Sequence, residues 1–385
     1  MMNFDTIHWV LWAALLLCFI IQMIDYWAFM FKPFRYRKKM QKGKIVFPTA
    51  QPPVSVIIYA RNEAENLETF LPSILEQNYP EFEVIVVNED STDDTEAILS
   101  RLKLEYKHLY HTTLPGESRN VSRKKLALTL GIKAAHHEVL AFIEADSHPL
   151  DADWLRSSAR HFTDDKTVVL GWAYLEKYPS RFVAYDYFVE NLRTIASALY
   201  GKTYRANGRN MAYRKTTFSQ QKALSNYNFI DAGEDDLLIA EMASKKNAAV
   251  ELSSENRVAV DMESVWMWKE YKLRRAVAYS FYPAYAKNRD WMEQGSAIAF
   301  YALWIAAVAF TIPDWIGFGG LMLLFLIRGF TQYRVINRTA KALQTPSFGL
   351  TVLLFDFIRP WVNGYFFLYP KMAWKKDNHW TYGKK

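Results

Sequence analysis

The stretch Leu140–Ala141–Phe142–Ile143–Glu144–Ala145–Asp146 decides the fold. It is a short apolar run that ends at two carboxylates, Glu144 and Asp146. A run of this length between polar residues is typical of a strand buried on both faces of a sheet. Alternation along a strand would put Glu144 and Asp146 on one face, at the carboxyl end where open α/β sheets bind ligands. Two hard oxygen ligands there suit Mg²⁺ or Mn²⁺, which would in turn hold a diphosphate. The alternative is a strand that ends in a solvated acidic turn.

The composition indicates a membrane protein. The 385 residues carry a formal net charge of +7, yet 51% are hydrophobic and 16% are aromatic. Long uncharged runs are unlike a nucleic-acid binder, so we expect no nucleic acid as a partner, whereas an anionic membrane surface suits the basic excess. The one cysteine, Cys18, lies in an apolar segment, which excludes a disulfide framework and a cysteine-based zinc site.

The first apolar segment, from Trp9 to Phe31, is long enough to cross a bilayer. Because basic residues follow it and few precede it, the positive-inside rule puts the next domain in the cytoplasm. A cleaved signal peptide shows the reverse charge order, so we expect a retained anchor. The basic cluster consists of Lys32, Arg35, Arg37, Lys38, Lys39, Lys42 and Lys44.

Three further apolar segments lie near the C-terminus. Ser296–Ile312 and Trp315–Phe330 are predicted to form a hairpin across the cell (inner) membrane. The segment 348–369 is interrupted by Asp356 and Arg359, which favours a broken, re-entrant hairpin followed by a cytoplasmic basic tail. Asp356 and Arg359 are either a functional site at membrane depth or a structural ion pair, and both interpretations stay open.

Between these segments, strands and helices alternate. This order predicts a parallel, doubly wound half-domain whose loops gather at one edge of the sheet. The predicted strands are Val54–Tyr59, Phe82–Val87 and Leu140–Asp146. A first helix is predicted to begin within Arg61–Leu67, and two more are predicted over Thr95–Leu104 and Leu126–Ala135.

Four motifs in this half occur in a recognisable order: Ala60–Glu63, Asn88–Thr95, Lys124–Leu128 and Glu144–Asp146. The set resembles the family-2 glycosyltransferases, which have the GT-A fold, although this chain has Asn88, Arg123 and Glu144 where the family has Asp, Gly and Asp. The resemblance implies an inverting transferase that uses a nucleotide-diphosphate sugar. It also implies Mg²⁺ or Mn²⁺ at Asp146. The residues expected on the donor side are Ala60, Arg61, Glu63, Glu89, Asp90, Lys124, Glu144 and Arg274.

The acidic stretch Gly233–Glu234–Asp235–Asp236–Leu237 is the second candidate site. The family carries a Glu-Asp pair here, which implies that Asp235 is the general base, with Glu234 and Asp236 beside it. Clustered carboxylates raise the pKa of at least one member, which makes it a better base near neutral pH. The stretch can equally stabilise the first turn of a helix over Leu237–Lys245, and both roles can coexist.

Two other stretches belong to the acceptor half. Asn207–Lys215 matches a family string, and its Gly208 and Asn210 are expected on the acceptor side; the alternative is a loop that leads into a strand. The apolar stripe over 182–199 has helical spacing and predicts a core helix.

The aromatic and basic segment Trp266–Trp291 predicts an interfacial amphipathic helix whose basic residues face lipid headgroups. Processive synthases of the family carry Gln-x-x-Arg-Trp near here, and Tyr271–Arg275 keeps only the arginine of that motif.

The sequence therefore predicts an α/β GT-A domain in the cytoplasm, with a mostly parallel sheet, and helical transmembrane segments. The expected function is transfer of a sugar to the hydroxyl of a lipid or lipid-linked acceptor, because the domain is membrane-anchored. The alternatives are a processive polysaccharide synthase and a catalytically silent nucleotide-sugar sensor or scaffold. The expected domains are an anchor over 1–31, a linker over 32–51, the catalytic domain over 52–263 (halves 52–150 and 151–263), an interfacial segment over 264–295, membrane helices over 296–370 and a tail over 371–385.

Overall fold

A computed structural model describes residues 4–114, 122–220, 230, 232–311 and 314–376. The chain forms two compact units, one made of Met1–Arg35 with Pro283–Lys385 and the other of Tyr36–Tyr282. The second unit is called the catalytic unit because it contains the predicted catalytic domain, and it also contains the first part of the segment predicted to be interfacial. The first unit is called the membrane unit because it contains the segments predicted to cross a membrane.

The secondary structure follows the order that the sequence predicts. The helices are α1 (Phe4–Ile24), a π-helical turn (Asp25–Met30), α2 (Lys32–Gln41), α3 (Ala64–Leu75), α4 (Thr95–Glu105), α5 (Arg123–Ala134), α6 (Trp154–Ala159), α7 (Arg181–Leu199), α8 (Lys215–Gln220), α9 (Asp236–Met242), α10 (Val265–Tyr279), α11 (Ala284–Thr311), α12 (Trp315–Ala342) and α13 (Thr351–Lys376). The strands are β1 (Val54–Ala60), β2 (Phe82–Asn88), β3 (Leu109–Thr113), β4 (Val139–Phe142), β5 (Ser147–Pro149), β6 (Val168–Leu170), β7 (Trp172–Lys177), β8 (Met211–Arg214), β9 (Ala248–Val250) and β10 (Arg257–Asp261).

The catalytic unit is built on a seven-stranded sheet with the order β3-β2-β1-β4-β8-β6-β9. Strands β3, β2, β1 and β4 run parallel, and β8 is antiparallel to both of its neighbours. A smaller sheet has the order β5-β10-β7. The apolar runs that predicted buried strands fill the sheet, and the predicted α/β architecture with a mostly parallel sheet is confirmed.

The central strand is shorter than predicted. Strand β4 ends at Phe142, whose partner on β8 is Met211, so Glu144 and Asp146 lie in a turn and not on one face of a strand. The turn is closed by a hydrogen bond of 3.1 Å from the amide of Ser147 to the carbonyl of Glu144. The two carboxylates still lie just past the carboxyl end of the strand, because the chain turns there.

Several helix limits also differ from the predictions. Lys124 and Lys125 lie in the first turn of α5 instead of before it. Helix α9 ends at Met242 and not at Lys245, since the backbone of Ala243 is already extended. The predicted core helix over 182–199 is confirmed, because α7 is buried along most of its length and its N-cap Ser180 accepts a hydrogen bond from the amide of Val183.

Helix α10 packs inside the catalytic unit. Lys272 is buried and forms ion pairs with Asp186, at 3.1 Å, and with Glu190 on α7. Trp268 also donates to Asp186, at 3.0 Å. The prediction that the basic residues of this segment face lipid headgroups is therefore wrong for Lys272, because two buried carboxylates neutralise it inside the domain.

In the membrane unit, three helices of the described chain are long and apolar enough to cross a bilayer: His8–Gln41, Ala284–Ala309 and Trp315–Ala342. Leu15, Phe300, Ala307 and Leu321 form a buried cluster among them. The two apolar segments predicted as a hairpin form two long helices, α11 and α12, while residues 312 and 313 between them lie outside the described residues; that these helices cross a membrane stays a prediction.

The predicted re-entrant hairpin over 348–369 is wrong, since α13 is one continuous helix from Thr351 to Lys376. Pro360 lies inside it, and a proline within a helix removes one hydrogen bond without necessarily ending the helix. At 1.5 Å per residue, its 26 residues extend about 39 Å.

The charged residues of α13 find partners on other helices. Asp356 accepts hydrogen bonds from Arg328 at 2.8 Å, from Gln332 at 2.6 Å and from the hydroxyl of Tyr26. Arg359 instead pairs with Glu293 at 3.2 Å. The interpretation of Asp356 and Arg359 as a mutual pair is therefore wrong, because each is neutralised by a neighbouring helix.

Candidate active site

The ends of β1 and β2 form the first wall of the site. The amide of Glu89 donates to the carbonyl of Ala60 at 2.8 Å, which joins the two strand ends. The carboxylate of Glu89 is buried and binds Arg61 at 3.1 Å, Arg123 at 2.6 Å and the hydroxyl of Tyr59. Glu89 therefore fixes two arginines at this edge. Ala60 contributes only its backbone there.

The two turns after these strands are interlocked. Asn62 and Asp90 both have positive φ angles, of 54° and 45°, which asparagine and aspartate tolerate better than most residues. The side chain of Asn62 accepts a hydrogen bond of 2.8 Å from the amide of Thr92, and its own amide donates to Ser91 at 2.8 Å. These bonds hold the exposed Asp90 at the rim of the site.

Glu63 lies deeper in the same wall. It accepts a hydrogen bond of 2.6 Å from Asn66. Burial raises the pKa of Glu63 to about 7, and the charges of Asp146 and Glu144 add to the rise. The carboxyl is therefore partly protonated near neutral pH.

A row of alternating charges crosses the centre of the site, and we call it the ion row. Its members in order are Asp146, Arg209, Glu144, Lys124, Glu234 and Arg274. Arg209 binds Asp146 with 2.6 Å between Nη2 and Oδ2 and Glu144 with 2.9 Å between Nη2 and Oε2. Lys124 binds Glu144 at 2.6 Å and Glu234 at 3.1 Å. Arg274 also pairs with Glu234. The row joins the predicted metal ligand to the predicted base cluster.

Asp235 lies next to this row, immediately before α9, where it makes no side-chain cap to that helix. Burial raises the pKa of Asp235 to about 6, and the carboxylates of Glu144 and Asp236 add to the rise, against Lys124 and Arg275. Gly208 packs directly against it, because a Cβ at position 208 would lie 2.4 Å from Oδ2 of Asp235. Asp235 is thus an ionisable carboxylate with a raised pKa beside Gly208, which was predicted to lie on the acceptor side.

The neighbours of Asp235 have different surroundings. Asp236 accepts hydrogen bonds from the hydroxyl of Tyr282 and from the amide of Ala206, at 3.2 Å. Glu234 is buried within the ion row, and its Oε2 has no hydrogen-bond partner among the described residues. Asp236 therefore stabilises the fold, and Glu234 holds cations in place.

Asn210 also stabilises the fold. Its side chain accepts from the indole of Trp154 at 3.1 Å and donates to the backbone of Asn256 at 2.7 Å and of Trp172 at 3.1 Å. Gly208, two residues before it, is the part of this loop that reaches Asp235. Asn210 anchors the loop that carries Gly208 and Arg209.

The donor set at Asp146 fits a divalent cation on one condition. Mg²⁺ is usually held by one or two carboxylates together with substrate phosphates, and Asp146 and Glu144 can supply these. Within the described ranges, no group of three Asp, Glu, His or Cys side chains could hold a metal alone. Both oxygens of Asp146 accept hydrogen bonds from Arg209, so a cation bound to this carboxylate would lie beside the guanidinium and be repelled by it unless Arg209 moves away.

Two residues of the site were not predicted from the sequence. Arg209 lies inside the quoted string Asn207–Lys215, and Arg123 stands where a glycine is usual. In both cases a charged residue in an otherwise matching motif was the available signal. Each of them neutralises a buried carboxylate of the site.

Part of the chain resembles known glycosyltransferases in sequence. Residues 55–222 match the sequence model of Glycosyl transferase family 2. A poly-beta-1,6-N-acetyl-D-glucosamine synthase of Staphylococcus epidermidis is 32% identical over 95 residues, which are 24% of this chain and 22% of the relative. Glycosyltransferase AglE of Haloferax volcanii is 34% identical over 106 residues, which are 27% of this chain and 33% of the relative. The alignments thus span a third or less of these curated relatives.

Among solved structures, the mannosyltransferase PcManGT from Pyrobaculum calidifontis in complex with GDP-Man and Mn²⁺ has a similar fold. The TM-score is 0.53 and the identity 18%, over 90% of this chain and 99% of that chain. At this level of identity the likeness concerns the fold.

Proposed function

We propose that this chain transfers a sugar from a nucleotide-diphosphate sugar to a hydroxyl acceptor, with inversion, because residues 55–222 match the sequence model of Glycosyl transferase family 2. The observation that carries the proposal is the position of Asp235. A carboxylate with a pKa of about 6 lies against Gly208 and beside the cations of the ion row. This arrangement supports a base in the same site as cations that can bind an anionic leaving group.

In the proposed reaction, Asp235 accepts the proton of the acceptor hydroxyl while its oxygen attacks the anomeric carbon. The bond from that carbon to the diphosphate breaks on the opposite face, which inverts the configuration. Lys124, Arg209 and Arg274 are the cations that can bind the diphosphate, since a fixed positive charge stabilises the negative charge that develops there. Arg61 and Arg123, held by Glu89, are proposed to bind the nucleotide.

A divalent metal is part of the proposal. Asp146, with Glu144 beside it, would hold Mg²⁺ or Mn²⁺, which supplies charge neutralisation for the leaving diphosphate. The mannosyltransferase with a similar fold was solved with Mn²⁺. The protein residues of this chain would do the remaining work of orientation and proton transfer.

The acceptor is proposed to be a lipid or a lipid-linked molecule. The chain enters the catalytic unit from one candidate membrane span, His8–Gln41, and leaves it into another, Ala284–Ala309. An enzyme anchored in this way meets substrates that are confined to a membrane at a raised local concentration. We propose that the protein is multi-pass in the cell membrane, with the catalytic unit in the cytoplasm, since basic residues follow the first span.

A processive polysaccharide synthase is the second candidate, because one matching relative is a synthase of poly-beta-1,6-N-acetyl-D-glucosamine. The length of the product separates the two candidates. A single added sugar favours the lipid glycosyltransferase, whereas a ladder of products favours the synthase.

The test is a transfer assay with the full-length protein in detergent. UDP and GDP sugars are offered with Mn²⁺ and with either a diacylglycerol or a polyprenyl diphosphate that already carries a sugar, both of which present hydroxyl groups, and nucleotide release and glycolipid formation are measured. We expect release that depends on the lipid with one donor and falls strongly in Asp235→Asn. Binding of a donor with no turnover under any condition would favour a sensor and contradict the proposal.

A further inference from the structure

Arg209 binds the carboxylate that is expected to bind the metal. Its Nε lies 3.0 Å from Oδ1 of Asp146, and its Nη2 lies 2.6 Å from Oδ2, so the guanidinium takes both oxygens of that carboxylate. The same Nη2 reaches Glu144 at 2.9 Å. Paired, planar contacts of this kind are among the stronger interactions of a carboxylate. Arg209 thus places a positive charge beside Asp146, where the metal ion is expected to bind.

The loop around Arg209 fixes its backbone and leaves its side chain as the part that can move. The side-chain oxygen of Asn207 accepts from the amide of Arg209 at 3.2 Å, and the amide of Asn210 donates to the carbonyl of Asn207 at 3.0 Å. Asn210 is buried, and its side chain makes the hydrogen bonds to Trp154, Trp172 and Asn256 described above. A change of partner by Arg209 therefore needs side-chain rotation alone.

A metal ion and Arg209 cannot both bind Asp146 in this way. A divalent cation needs an oxygen of Asp146 at about 2.0–2.6 Å, where it would lie next to the guanidinium and repel it. Ser147 already donates to Oδ1 of Asp146 at 2.7 Å, so the less occupied oxygen is Oδ2, which Arg209 Nη2 contacts. The charge of Arg209 therefore opposes metal binding at Asp146, and its departure favours it.

We propose that Arg209 is an exchangeable counter-ion, which neutralises Asp146 and Glu144 in the absence of the metal and moves to the donor diphosphate when metal and donor bind together. This inference rests on the proposed function. The exchange preserves charge, because a divalent cation and a dianionic diphosphate enter together. Arg209 leaves two carboxylates for the cation and gains phosphate oxygens, which its fork binds as well.

The consequence is positive coupling between metal and nucleotide. The metal alone must displace Arg209 into a site without a new partner, whereas the metal with a diphosphate offers Arg209 that partner. By linkage, each ligand raises the affinity for the other by the same factor. Removing Arg209 should therefore strengthen binding of the metal alone and weaken the coupling.

The test measures Mn²⁺ binding to the full-length protein by electron paramagnetic resonance of the free ion, with and without UDP or GDP. In the wild-type protein we expect the nucleotide to raise Mn²⁺ affinity by about 10-fold or more. Arg209→Ala should bind Mn²⁺ alone about 10-fold more tightly than the wild-type protein and gain less from the nucleotide. Arg101→Ala is the matched control, because it removes the same charge from an exposed pair with Glu68.

Arg209→Lys is the second variant, and melting curves accompany both. It keeps the charge but loses the planar fork, so its Mn²⁺ affinity should fall between those of Arg209→Ala and the wild-type protein. An Mn²⁺ affinity in both variants equal to that of the wild-type protein would overturn the inference. Sugar transfer at full rate in excess chelator would also overturn it, together with the metal part of the proposed function, and would leave sugar transfer by Asp235 intact. Tight Mn²⁺ binding to Arg209→Ala with no UDP or GDP binding in any protein would support the role of Arg209 as counter-ion to Asp146, but it would overturn its move to a diphosphate and contradict the donor assignment of the proposed function.

Discussion

Gly208 and Asp235 are packed so closely that a Cβ added at Gly208 would lie 2.4 Å from Oδ2 and 2.6 Å from the carboxyl carbon of Asp235. Real Cβ atoms do not approach other atoms this closely. The absence of a side chain at position 208 therefore lets the loop before β8 lie directly against the candidate base. The position of the carboxylate depends on that contact.

The first prediction concerns Gly208→Ala. The added methyl group must push the carboxylate of Asp235 away, and a displacement of about 1 Å in a catalytic group can cost roughly 10²-fold in rate. We expect kcat for sugar transfer to fall by about that factor, with donor affinity kept. Gly295→Ala is the matched control, because no atom lies within 4 Å of a Cβ there. Equal kcat values in the two variants would show that the packing of Gly208 against Asp235 does not affect sugar transfer.

The second prediction separates Asp235 from its neighbour Asp236. Asp235→Asn removes the proton acceptor, so transfer should fall by roughly 10²–10⁴-fold while the protein stays folded and binds the donor. Asp236→Asn weakens the buried bonds to Tyr282 and Ala206, so its main effect should be a lower melting temperature. Transfer rates and melting curves are measured on both variants. The opposite pattern would exchange the two roles.

The third prediction is a pH dependence. Asp235 must be ionised to act as a base, and burial raises its pKa to about 6, so kcat/KM should rise as pH increases through about 6. Glu63, whose pKa is raised to about 7, is tested separately with Glu63→Gln. This variant should keep the rise near pH 6, whereas the residual rate of Asp235→Asn should lack it.

The raised pKa of Asp235 also makes the free energy of unfolding depend on pH. The folded-state pKa of Asp235 lies above its ordinary value of 3.8, so its contribution to stability is present below that value and is lost as pH rises through about 6. Asp235→Asn should therefore raise the melting temperature at pH 8, and the difference should vanish near pH 4. An equal difference in melting temperature at both pH values would show that burial does not destabilise the ionised carboxylate of Asp235.

The fourth prediction concerns the metal. Asp146→Ala should abolish transfer and metal-dependent donor binding, because it removes the carboxylate proposed to hold Mg²⁺ or Mn²⁺. Donor binding is measured by calorimetry with metal and again in excess chelator. The wild-type protein in chelator should behave like the variant. Full wild-type activity in chelator would refute this assignment.

The fifth prediction concerns orientation. The one native cysteine, Cys18, is first replaced by alanine, and single cysteines are placed at Ser100 on α4 and at Trp315 at the start of α12, both exposed. If the catalytic unit is cytoplasmic, an impermeant thiol reagent applied to intact cells should label the cysteine at 315 and not the one at 100. Labelling of only the cysteine at position 100 would show that the catalytic unit lies on the outer side of the membrane.

The fold was predictable where local pattern and packing agree. The apolar runs of β1, β2 and β4 are buried in a sheet, as continuous apolar strands require. The length of β4 was not predictable from its own residues. Ile143 and Ala145 are as apolar as the strand, and pairing with Met211 on β8 ends at Phe142.

The site was predictable in its carboxylates but less so in their partners. The positions of Asp146 and Asp235 follow from their motifs, whereas the pairing of Arg209 with Asp146 depends on a contact across 63 residues of sequence. Lys272 illustrates the same limit, since its neighbours Trp268 and Tyr271 suggested a membrane interface. Two carboxylates on α7, distant in the sequence, determine its burial instead.

The hydrogen bonds of Asp356 bear on how the protein is made. Asp356 comes near the end of the chain, yet it binds Tyr26 at the beginning and Arg328 on α12. A lone carboxylate or guanidinium entering a bilayer is costly, and pairing reduces that cost. If α12 and α13 cross the membrane as proposed, Arg328 leaves the ribosome before Asp356 is available. Gln22 and Tyr301, which are made earlier, can accept hydrogen bonds from Arg328, but the carboxylate that neutralises its charge arrives only with α13. A chain truncated before α13 should therefore be a substrate for membrane quality-control proteases, even though the whole catalytic unit has been synthesised.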